Sequence, residues 1–438
     1  MQGRKIVKTL IPSKTFKLIE PYGHWAEAVI AQNKARFPAK KLKVIGVTGT
    51  DGKTTTCLQI AHMLSANGYK TAYITTSLVD YGDGKGEQIN PTKLTTGSAQ
   101  QLSQLLAKIK SNKVDWLVLE VSSHALLQRR VWGIPFSLAV LTNMSPEHLD
   151  YHGTFENYRK AKERLFKLVN LNRKGLKTGI INADDKTEKF FIRDVKTAVT
   201  YGIKAGDIKA TKIDSSLNGN NFEVAIDGDY YRLKSSLVGE FNIYNILASV
   251  AVGRIIGLSP KQIEKGIASL KQVKGRMMPI EAGQPFKVFV DYAVTPNALE
   301  NVLKSIRKIS SKGKIHIVFG ATGDRDKTKR PAMGKITSEL ADKVYLTDDE
   351  TYSEDAELIR KAVYNGVSKN KRNKVEVFDD RQKAIESAIK NAKKDDVVVI
   401  TGIGHQTSRN MGGKKVSWSD IEVVTKLLKA KAQKVKAK

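Results

Sequence analysis

One glycine-rich loop, placed between an apolar run and a helical pattern, constrains this chain more than any other feature. The run VIGV leads into TGTDGKTTT at residues 48–56, and LQIAHMLSANG follows with the spacing of a helix. Glycines in such a loop let backbone N–H groups close around a phosphate. Lys53 would neutralise the phosphate oxygens, and Thr54 would offer a hydroxyl to Mg²⁺. The sequence therefore predicts a nucleotide-binding loop at the end of a parallel strand.

The spacing of this loop departs from the regular phosphate-loop pattern. The regular pattern requires glycine at Val47, whereas the glycines of this chain are Gly46, Gly49 and Gly52. We therefore interpret it as a variant loop, supported by the strand before it and the helix after it.

Strand, turn and helix patterns alternate along most of the 438 residues. DWLVLEVSS and FSLAVLTNM are short apolar runs that end in polar residues, as buried parallel strands with functional carboxyl ends do. The stretch TKIDSSLNGNNFEVAIDGDYYRLKSSLVG alternates and carries Asn-Gly and Asp-Gly turns, which predicts a β-hairpin insertion, and a helix is expected at 242–256. After KGRMMPI a second series begins, with strands expected at KVFVDYA, KIHIVFG, KVYLTDD and VVVITG.

The predicted fold class is α/β, a P-loop-type doubly wound central domain followed by a Rossmann-like C-terminal α/β domain. The predicted limits are a short basic N-terminal segment at 1–40 with one amphipathic helix, an ATP-binding domain at 41–275, and a C-terminal domain with a basic tail at 276–438.

Composition restricts the classes of protein. Cys57 is the only cysteine, so an internal disulfide is excluded and a core position is expected. No run approaches the roughly 20 apolar residues of a membrane helix, and no signal-peptide core is visible, so we expect a cytoplasmic monomer. The net charge of +30 leaves a basic nucleic-acid-binding NTPase as an alternative. The charge is scattered along the chain, however, so no nucleic-acid partner is expected. A basic surface of this kind could instead make peripheral contact with an anionic membrane.

Further motifs appear in a fixed order between residues 46 and 406. Together with TGTDGKTTT, they resemble successive motifs of the Mur ligase family, most closely its muramoyl-tripeptide synthetase (MurE-type) branch: EVSSHALLQRRV, LTNMSPEHLDYHGTFENYRKAKERLF, GEFNIYNILASVAVG, VKGRM, VDYAVTPNALE, FGATGDRDKTKRP and GIGHQ. The resemblance implies an ATP-dependent ligase with ATP and Mg²⁺ as cofactors. Such an enzyme activates a carboxylate of a muramoyl-peptide precursor of peptidoglycan as an acyl-phosphate and joins it to an amino acid. A folylpolyglutamate-synthase-like ligase, which shares this ATP core, is the nearer alternative.

The resemblance also assigns residues to the site. The nucleotide is implied to contact Gly49, Thr50, Asp51, Gly52, Lys53, Thr54, Thr55, Asn242, Asn245, Arg276 and Asp291. The muramoyl peptide, which is the acceptor, is implied to contact Thr95, Thr96, Ser122, Gln128 and Arg130. The other implied substrate-binding residues are Arg325, Asp349, Gly402 and Gln406. The implied metal ligands are Thr54, Glu120, His148 and carbamylated Lys162, and the implied catalytic residues are Lys53, His148 and Lys162.

The burial of Lys162 can be predicted from its place on a helix, without reference to the family. On a helix that begins after Thr154, it lies at the centre of an apolar stripe, listed here in chain order: Phe155, Tyr158, Leu165, Phe166 and Val169. An apolar environment favours the neutral amine, which can react with CO₂ to give a carbamate, an oxygen ligand for a metal. Lys160 is predicted to point elsewhere.

Three departures from the family bear on the substrates. The phosphate loop begins at residue 48, which leaves a shorter N-terminal region than the family's UDP-gripping domain, so either UDP is held differently or the acceptor is not a UDP-sugar. Thr351 replaces the arginine of the DNPR motif that holds the distal carboxylate of diaminopimelate, and Gln406 replaces a glutamate of GKGHE. The acids Asp349 and Glu350 suit a cationic end, which favours L-lysine over meso-diaminopimelate unless another arginine enters the pocket.

Overall fold

The computed structural model describes residues 13–310 and 312–436, in which the chain forms two compact units. The first unit runs to Thr211 and includes Val224–Tyr231 and Tyr244–Ser269, and the second comprises Lys212–Glu223, Arg232–Ile243 and the chain from Leu270 onward. The finer domain limits at 41–275 and 276–438 stay a prediction. Residues 1–12 of the basic N-terminal segment and 437–438 of the basic tail lie outside the described residues.

The larger sheet of the described chain has eleven strands. In chain order they are β1 (Lys43–Thr48), β2 (Thr71–Ile74), β3 (Leu78–Asp80), β4 (Gln88–Ile89), β5 (Trp116–Glu120), β6 (Phe136–Leu141), β7 (Thr178–Asn182), β8 (Thr197–Gly202), β9 (Ile208–Ser216), β10 (Gly219–Ile226) and β11 (Asp229–Ser235). Hydrogen bonds order them β11-β10-β9-β8-β7-β6-β1-β5-β2-β3-β4. Strand β1 is parallel to both β5 and β6, and β5 and β6 are buried along their whole length, as predicted for apolar runs in a parallel sheet.

One helix precedes the first strand of this series, and the other helices come after it. They are α1 (Ser13–Lys34), α2 (Lys53–Ala66), α3 (Ala99–Ser111), α4 (Ser123–Leu127), α5 (Leu149–His152), α6 (Phe155–Leu171), α7 (Glu188–Arg193), α8 (Phe241–Ile256) and α9 (Pro260–Ser269). The predicted helices before FPAKK and at 242–256 correspond to α1 and α8, and Cys57 is fully buried in α2 as expected. The stretch predicted as a hairpin insertion forms three adjoining strands, β9 to β11.

The second unit is built on a six-stranded sheet. Its strands are β12 (Met278–Pro279), β13 (Lys287–Asp291), β14 (Ile315–Phe319), β15 (Lys343–Leu346), β16 (Val375–Val377) and β17 (Val397–Thr401), in the order β12-β13-β17-β14-β15-β16. Only the edge strand β12 pairs antiparallel. This confirms the four strands predicted from VDYA to VITG. A separate hairpin follows, formed by β18 (Ser408–Met411) and β19 (Lys414–Ser417).

Both faces of this sheet are covered by helices. They are α10 (Pro296–Ile309), α11 (Lys329–Leu340), α12 (Ala356–Tyr364), a 3₁₀ helix (Lys369–Lys374), α13 (Arg381–Asn391) and α14 (Asp420–Lys436). Alternate residues of the strands enter different cores: Phe289 and Val399 belong to one apolar cluster, and Val290 and Ile400 to the other. No helix among the described residues combines the length and the apolar character needed to cross a bilayer.

Candidate active site

The loop between β1 and α2 depends on two glycines with positive φ. Gly49 has φ 147° and Gly52 has φ 80°. A Cβ atom at Gly49 would overlap the Thr142 hydroxyl, and one at Gly52 would overlap the Asn245 side-chain oxygen. Both positions therefore require glycine for conformation and for space.

Residues that follow β6 hold this loop. The Thr50 N–H donates to the Asn143 carbonyl at 2.8 Å, and the Asp51 N–H donates to Asn143 Oδ1 at 3.0 Å. The Thr142 hydroxyl donates to the Asp51 carbonyl at 2.6 Å. The sequence motifs included Thr142 and Asn143 without assigning them a role. Their position directly after a buried parallel strand was the signal that could have found them.

The amino end of α2 is open to a ligand. Gly52 occupies its N-cap position and supplies no side-chain cap, so the first N–H groups of the helix lack that partner. Unpaired N–H groups and the helix dipole together favour an anion at this position. In the described structure Lys53 Nζ donates to the Thr50 carbonyl at 2.7 Å, which keeps the ammonium beside the loop.

Glu120, at the end of β5, binds both Thr54, which follows the phosphate loop glycines, and Thr76, which follows β2. The carboxylate is 1% exposed, and Oε2 accepts from the Thr54 hydroxyl at 2.9 Å. Thr76, which the sequence interpretation missed, donates its N–H to Oε2 and its hydroxyl to Oε1, both at 2.8 Å. Because the Thr54 hydrogen is directed at Glu120, lone pairs of the Thr54 oxygen remain for a cation.

The described residues contain no group of three or more His, Cys, Asp or Glu side chains able to hold a metal ion by themselves. A cation beside Thr54 and Glu120 would therefore need oxygen ligands from phosphate, water or a modified side chain. That donor set suits Mg²⁺, which usually keeps several waters and is bound through one or two carboxylates plus substrate phosphates.

Lys162 is buried as its place on the helix face predicted. Its side chain is 2% exposed, Nζ donates to the Gly49 carbonyl at 2.5 Å, and Nζ lies 4.7 Å from the centre of the Tyr158 ring. Lys160, two residues away, is exposed and pairs with Glu156. Burial lowers the pKa of Lys162 well below its ordinary value, and the charge of Lys53 lowers it further. The environment of Lys162 beside the phosphate loop thus favours the neutral amine.

Three histidines pack next to this lysine. His148 has φ 55°, and its ring meets the His124 ring edge-on with centroids 4.8 Å apart. The His152 ring lies 5.4 Å from His124, and His152 Nε2 is 3.0 Å from the Ser123 hydroxyl. Burial, followed by the neighbouring charge of His124, lowers the pKa of His148 to about 3 and that of His152 to about 4. Both rings are thus neutral at pH 7, the state in which an imidazole nitrogen can bind a metal.

Three of the residues predicted to hold the acceptor meet at Glu120. The Thr96 hydroxyl donates to the Glu120 carbonyl at 2.9 Å and accepts from the Ser122 N–H at 3.0 Å. The Thr95 hydroxyl is 3.1 Å from the hydroxyl of Thr76, which itself binds the Glu120 carboxylate. The structure therefore brings Thr95, Thr96 and Ser122 together.

The other two predicted acceptor residues extend the same network. Arg130 donates Nη1 to the Thr96 carbonyl at 3.0 Å and Nε to Gln128 Oε1 at 2.7 Å. Gln128 Nε2 donates to the Tyr151 hydroxyl at 2.7 Å. A guanidinium is thereby oriented next to Thr96, whose hydroxyl binds the Glu120 carbonyl, and there it could bind a carboxylate or a phosphate.

The four nucleotide-site residues predicted outside the loop are in different surroundings. Asn245 Oδ1 accepts from the Thr56 hydroxyl of α2 at 3.2 Å, within the first unit. Asn242, on the same helix, donates to the Val238 carbonyl at 2.8 Å. In the second unit, the Arg276 guanidinium lies 4.7 Å from the Tyr292 ring centre, and the Asp291 carboxylate accepts from the Met277 N–H at 2.7 Å. Nucleotide contact by these four residues stays a prediction.

Asp349, after β15, is a buried carboxylate with unused hydrogen-bonding capacity. It is 2% exposed, Oδ1 accepts from the Glu350 N–H at 2.6 Å, and Oδ2 has no hydrogen-bond partner among the described residues. Gly402 (φ 113°) faces it so closely that a Cβ there would overlap Oδ2. Burial raises the pKa of Asp349 to about 6 against the opposing effect of the Arg381 charge. Asp349 and Gly402, both predicted to contact a substrate, are therefore neighbours in the structure.

Gln406 and Arg325 are the remaining predicted residues of the second unit. Gln406 Oε1 is buried without a hydrogen-bond partner in the described part of the chain. Arg325 is exposed, and its guanidinium lies 5.5 Å from the centre of the Tyr352 ring. Contact of either residue with an amino acid stays a prediction.

Glu350, the neighbour of Asp349, has a hydrogen-bond partner on each carboxylate oxygen. Its Oε2 accepts from the Tyr352 hydroxyl at 3.1 Å, and its Oε1 accepts from the Asn410 N–H at 3.0 Å. Glu350 thus binds the β18–β19 hairpin. Of the two acids, Asp349 alone has an oxygen without a partner among the described residues, and contact of either acid with a cationic end stays a prediction.

Comparison with known proteins assigns the chain to a family. Residues 47–253 match the Mur ligase middle domain, and residues 275–404 match the Mur ligase, glutamate ligase domain. The chain is 38% identical over 432 residues to the UDP-N-acetylmuramoyl-L-alanyl-D-glutamate--2,6-diaminopimelate ligase 1 of Clostridium acetobutylicum, covering 97% of this chain and 86% of that protein. The chain belongs to the Mur ligase family. This Mur ligase is an ATP-dependent amide ligase, which sets aside the nucleic-acid-binding NTPase.

Solved structures agree with this assignment. A UDP-N-acetylmuramoyl-L-alanyl-D-glutamate--2,6-diaminopimelate ligase matches this Mur ligase with a TM-score of 0.62 and 32% identity, covering 89% of this chain and 79% of that one. The folylpolyglutamate synthase of Mycobacterium tuberculosis matches with a TM-score of 0.70, covering 86% of this chain and 92% of that one, but is only 16% identical. That second likeness shows a shared fold alone.

Proposed function

We propose that this Mur ligase joins 2,6-diaminopimelate to a muramoyl peptide through an acyl-phosphate, using ATP and Mg²⁺. The observation that carries the proposal is the arrangement around Glu120, where an uncapped helix end, Lys53 and Thr54 lie beside the Thr96–Arg130 network. A phosphate site next to a carboxylate-binding arginine is what carboxylate activation requires. The relatives named above as 2,6-diaminopimelate ligases support the choice of substrates.

The reaction has two steps, in which the residues of the phosphate loop act mainly by charge. An oxygen of the acceptor carboxylate attacks the γ-phosphorus of ATP, and ADP leaves. The amine of the amino acid then attacks the acyl carbon, so that phosphate leaves, a proton is released and the amide forms. The α2 N–H groups and Lys53 stabilise the negative charge on the transferring phosphoryl group, and Arg130 orients the carboxylate.

Mg²⁺, when bound, would neutralise charge on the phosphate oxygens. Thr54 and Glu120 are the residues proposed to hold it, and His148 with carbamylated Lys162 would hold a second ion. The burial of Lys162, which lowers its pKa and favours the neutral amine, supports the carbamate, since the amine and CO₂ combine to give N–COO⁻ and a proton. The carbamate would supply the oxygen ligands that the described carboxylates and histidines do not provide.

The sequence alone favours L-lysine, because the arginine of the DNPR motif is replaced by Thr351 and because Asp349 and Glu350 are acids. Of these two acids, Asp349 alone has an oxygen without a partner among the described residues. Two matched ligases are named for 2,6-diaminopimelate, at 38% and 32% identity.

Lys53→Ala tests the proposed function, with the exposed Lys41→Ala as a matched control. We expect the Lys53 variant to lose ADP release that depends on both acceptor and amino acid, because the loop loses its cation, while its thermal unfolding is unchanged. The Lys41 variant should behave as the wild type. Amino-acid-dependent ADP release that persists in Lys53→Ala would refute the proposal.

A further inference from the structure

The β18–β19 hairpin is attached to the segment that follows β15. The Thr351 N–H donates to the Asn410 carbonyl at 2.9 Å, and the Gly412 N–H donates to the Thr351 hydroxyl at 3.0 Å. A third bond joins the Gly413 N–H to the Tyr352 carbonyl at 2.6 Å. Thr351, where an arginine was expected from the family motif, is thus used to fix the hairpin. The same hairpin carries Arg409, which approaches the Asp348 carbonyl.

Arg409 has a buried donor that the described residues do not use. Its guanidinium lies 4.2 Å from the centre of the Trp418 ring, and Nη1 is 3.5 Å from the Asp348 carbonyl, the outer limit of a hydrogen bond. Its Nε atom is buried and has no hydrogen-bond partner among the described residues. A guanidinium has five N–H donors, and leaving a buried one unpaired is unfavourable. A bound acceptor would remove this cost.

Arg381, in the same region, is an arginine whose donors are bonded to other groups of the protein. It is fully buried and binds both oxygens of Asp420, with Nε–Oδ1 at 2.8 Å and Nη2–Oδ2 at 2.7 Å. Nη2 also donates to the Thr401 carbonyl at 2.8 Å. Arg381 is satisfied by the protein, whereas Arg409 is not, although both approach the Asp348 carbonyl.

An unused acceptor belongs to the residue that follows Asp348, whose carbonyl Arg409 approaches. Asp349 Oδ2 is buried without a hydrogen-bond partner in the described chain, and the charge of Asp349 acts on the Arg409 guanidinium. Asn410 follows Arg409 in β18, so its side chain points to the other face of the strand. One cationic donor and one acceptor therefore remain for a ligand in this region. That pair matches a group carrying both a carboxylate and an ammonium.

We propose that Arg409 binds the distal carboxylate of the diamino acid, and that Asp349 binds its distal ammonium. This inference rests on the proposed function and deepens it, since it makes Arg409 the specificity-determining residue for a zwitterionic distal end. L-Lysine has the distal ammonium but lacks the distal carboxylate. Arg409 therefore distinguishes the two amino acids, in place of the arginine that the chain lacks at Thr351.

The test compares the KM for 2,6-diaminopimelate with the KM for L-lysine in four proteins: wild type, Arg409→Gln, Arg409→Lys and Lys415→Gln. Lys415 is exposed on the same hairpin, so its variant controls for the loss of one charge. In Arg409→Gln we expect the KM for diaminopimelate to rise about 10- to 100-fold, as expected for a lost charge-assisted bond. The KM for lysine and the kcat should change little, so discrimination collapses. Arg409→Lys, which keeps the charge but not the planar fork, should fall between the two.

The outcomes separate the two proposals. If Arg409→Gln retains the wild-type ratio of KM values, or if both KM values rise together in Arg409→Gln and Arg409→Lys, Arg409 has a structural role and the inference is overturned. In either case diaminopimelate ligation by the wild type leaves the proposed function standing. If the wild type ligates lysine but not diaminopimelate, or neither amino acid, both proposals fail.

Discussion

Asp349→Asn should stabilise the second unit at neutral pH and have little effect at pH 4. Burial raises the pKa of Asp349 to about 6, whereas an unfolded aspartate has a pKa of about 3.9. Because the folded pKa is the higher one, the contribution of Asp349 to stability is fully present below pH 4 and is lost as pH rises through 6. A difference of about 2 pKa units at about 1.36 kcal/mol each corresponds to about 3 kcal/mol at pH 8. The neutral amide of asparagine does not incur this cost.

Urea unfolding between pH 4 and pH 8, followed by Trp418 fluorescence, measures this effect. Trp418 is the only tryptophan of the second unit, so both proteins should carry phenylalanine at the other three positions, Trp25, Trp116 and Trp132. The free energy gained by Asp349→Asn should grow from near zero at pH 4 to a few kcal/mol at pH 8, and the exposed Asp379→Asn control should show no such trend. A pH-independent difference, or a loss of stability at pH 8, would refute the reasoning from burial.

Two other variants give independent tests. Lys162→Ala should reduce turnover severely, and short carboxylates such as acetate, which can occupy the vacated place, should partly restore it. The control variant Lys160→Ala should be fully active. Full activity of the Lys162 variant in a turnover assay would contradict the carbamate. Asp420→Asn should lower the free energy of unfolding in urea by about 3–5 kcal/mol, because it leaves the fully buried Arg381 without its charge partner. A loss below about 1 kcal/mol would show that this ion pair is not needed for stability.

Features set by short-range patterns were predictable from the sequence. The apolar stripe of one helix was enough to bury Lys162 and expose Lys160, because both positions follow from helical periodicity alone. The phosphate loop and Glu120 were likewise marked by the strands that precede them. In each case the environment of the side chain is fixed by its own strand or helix.

Hydrogen bonds between distant segments could not be predicted in this way. Asp349 and Glu350 look alike in the sequence, yet Glu350 is bound by Asn410, 60 residues later, and Asp349 is not. The same hairpin brings Arg409 to within 3.5 Å of the Asp348 carbonyl, 61 residues earlier in the chain. Tertiary contacts of this kind decide which of two adjacent acids keeps an oxygen without a partner, and the local sequence does not show them.

The central claim is that the acceptor carboxylate is activated as an acyl-phosphate, and oxygen transfer tests it most directly. A muramoyl dipeptide labelled with ¹⁸O in both oxygens of the reacting carboxylate should be incubated with the enzyme, ATP, Mg²⁺ and 2,6-diaminopimelate. We predict that the inorganic phosphate contains one ¹⁸O atom per amide bond formed and that ADP is the nucleotide product. Unlabelled phosphate beside the ligated product, or release of AMP, would contradict the account.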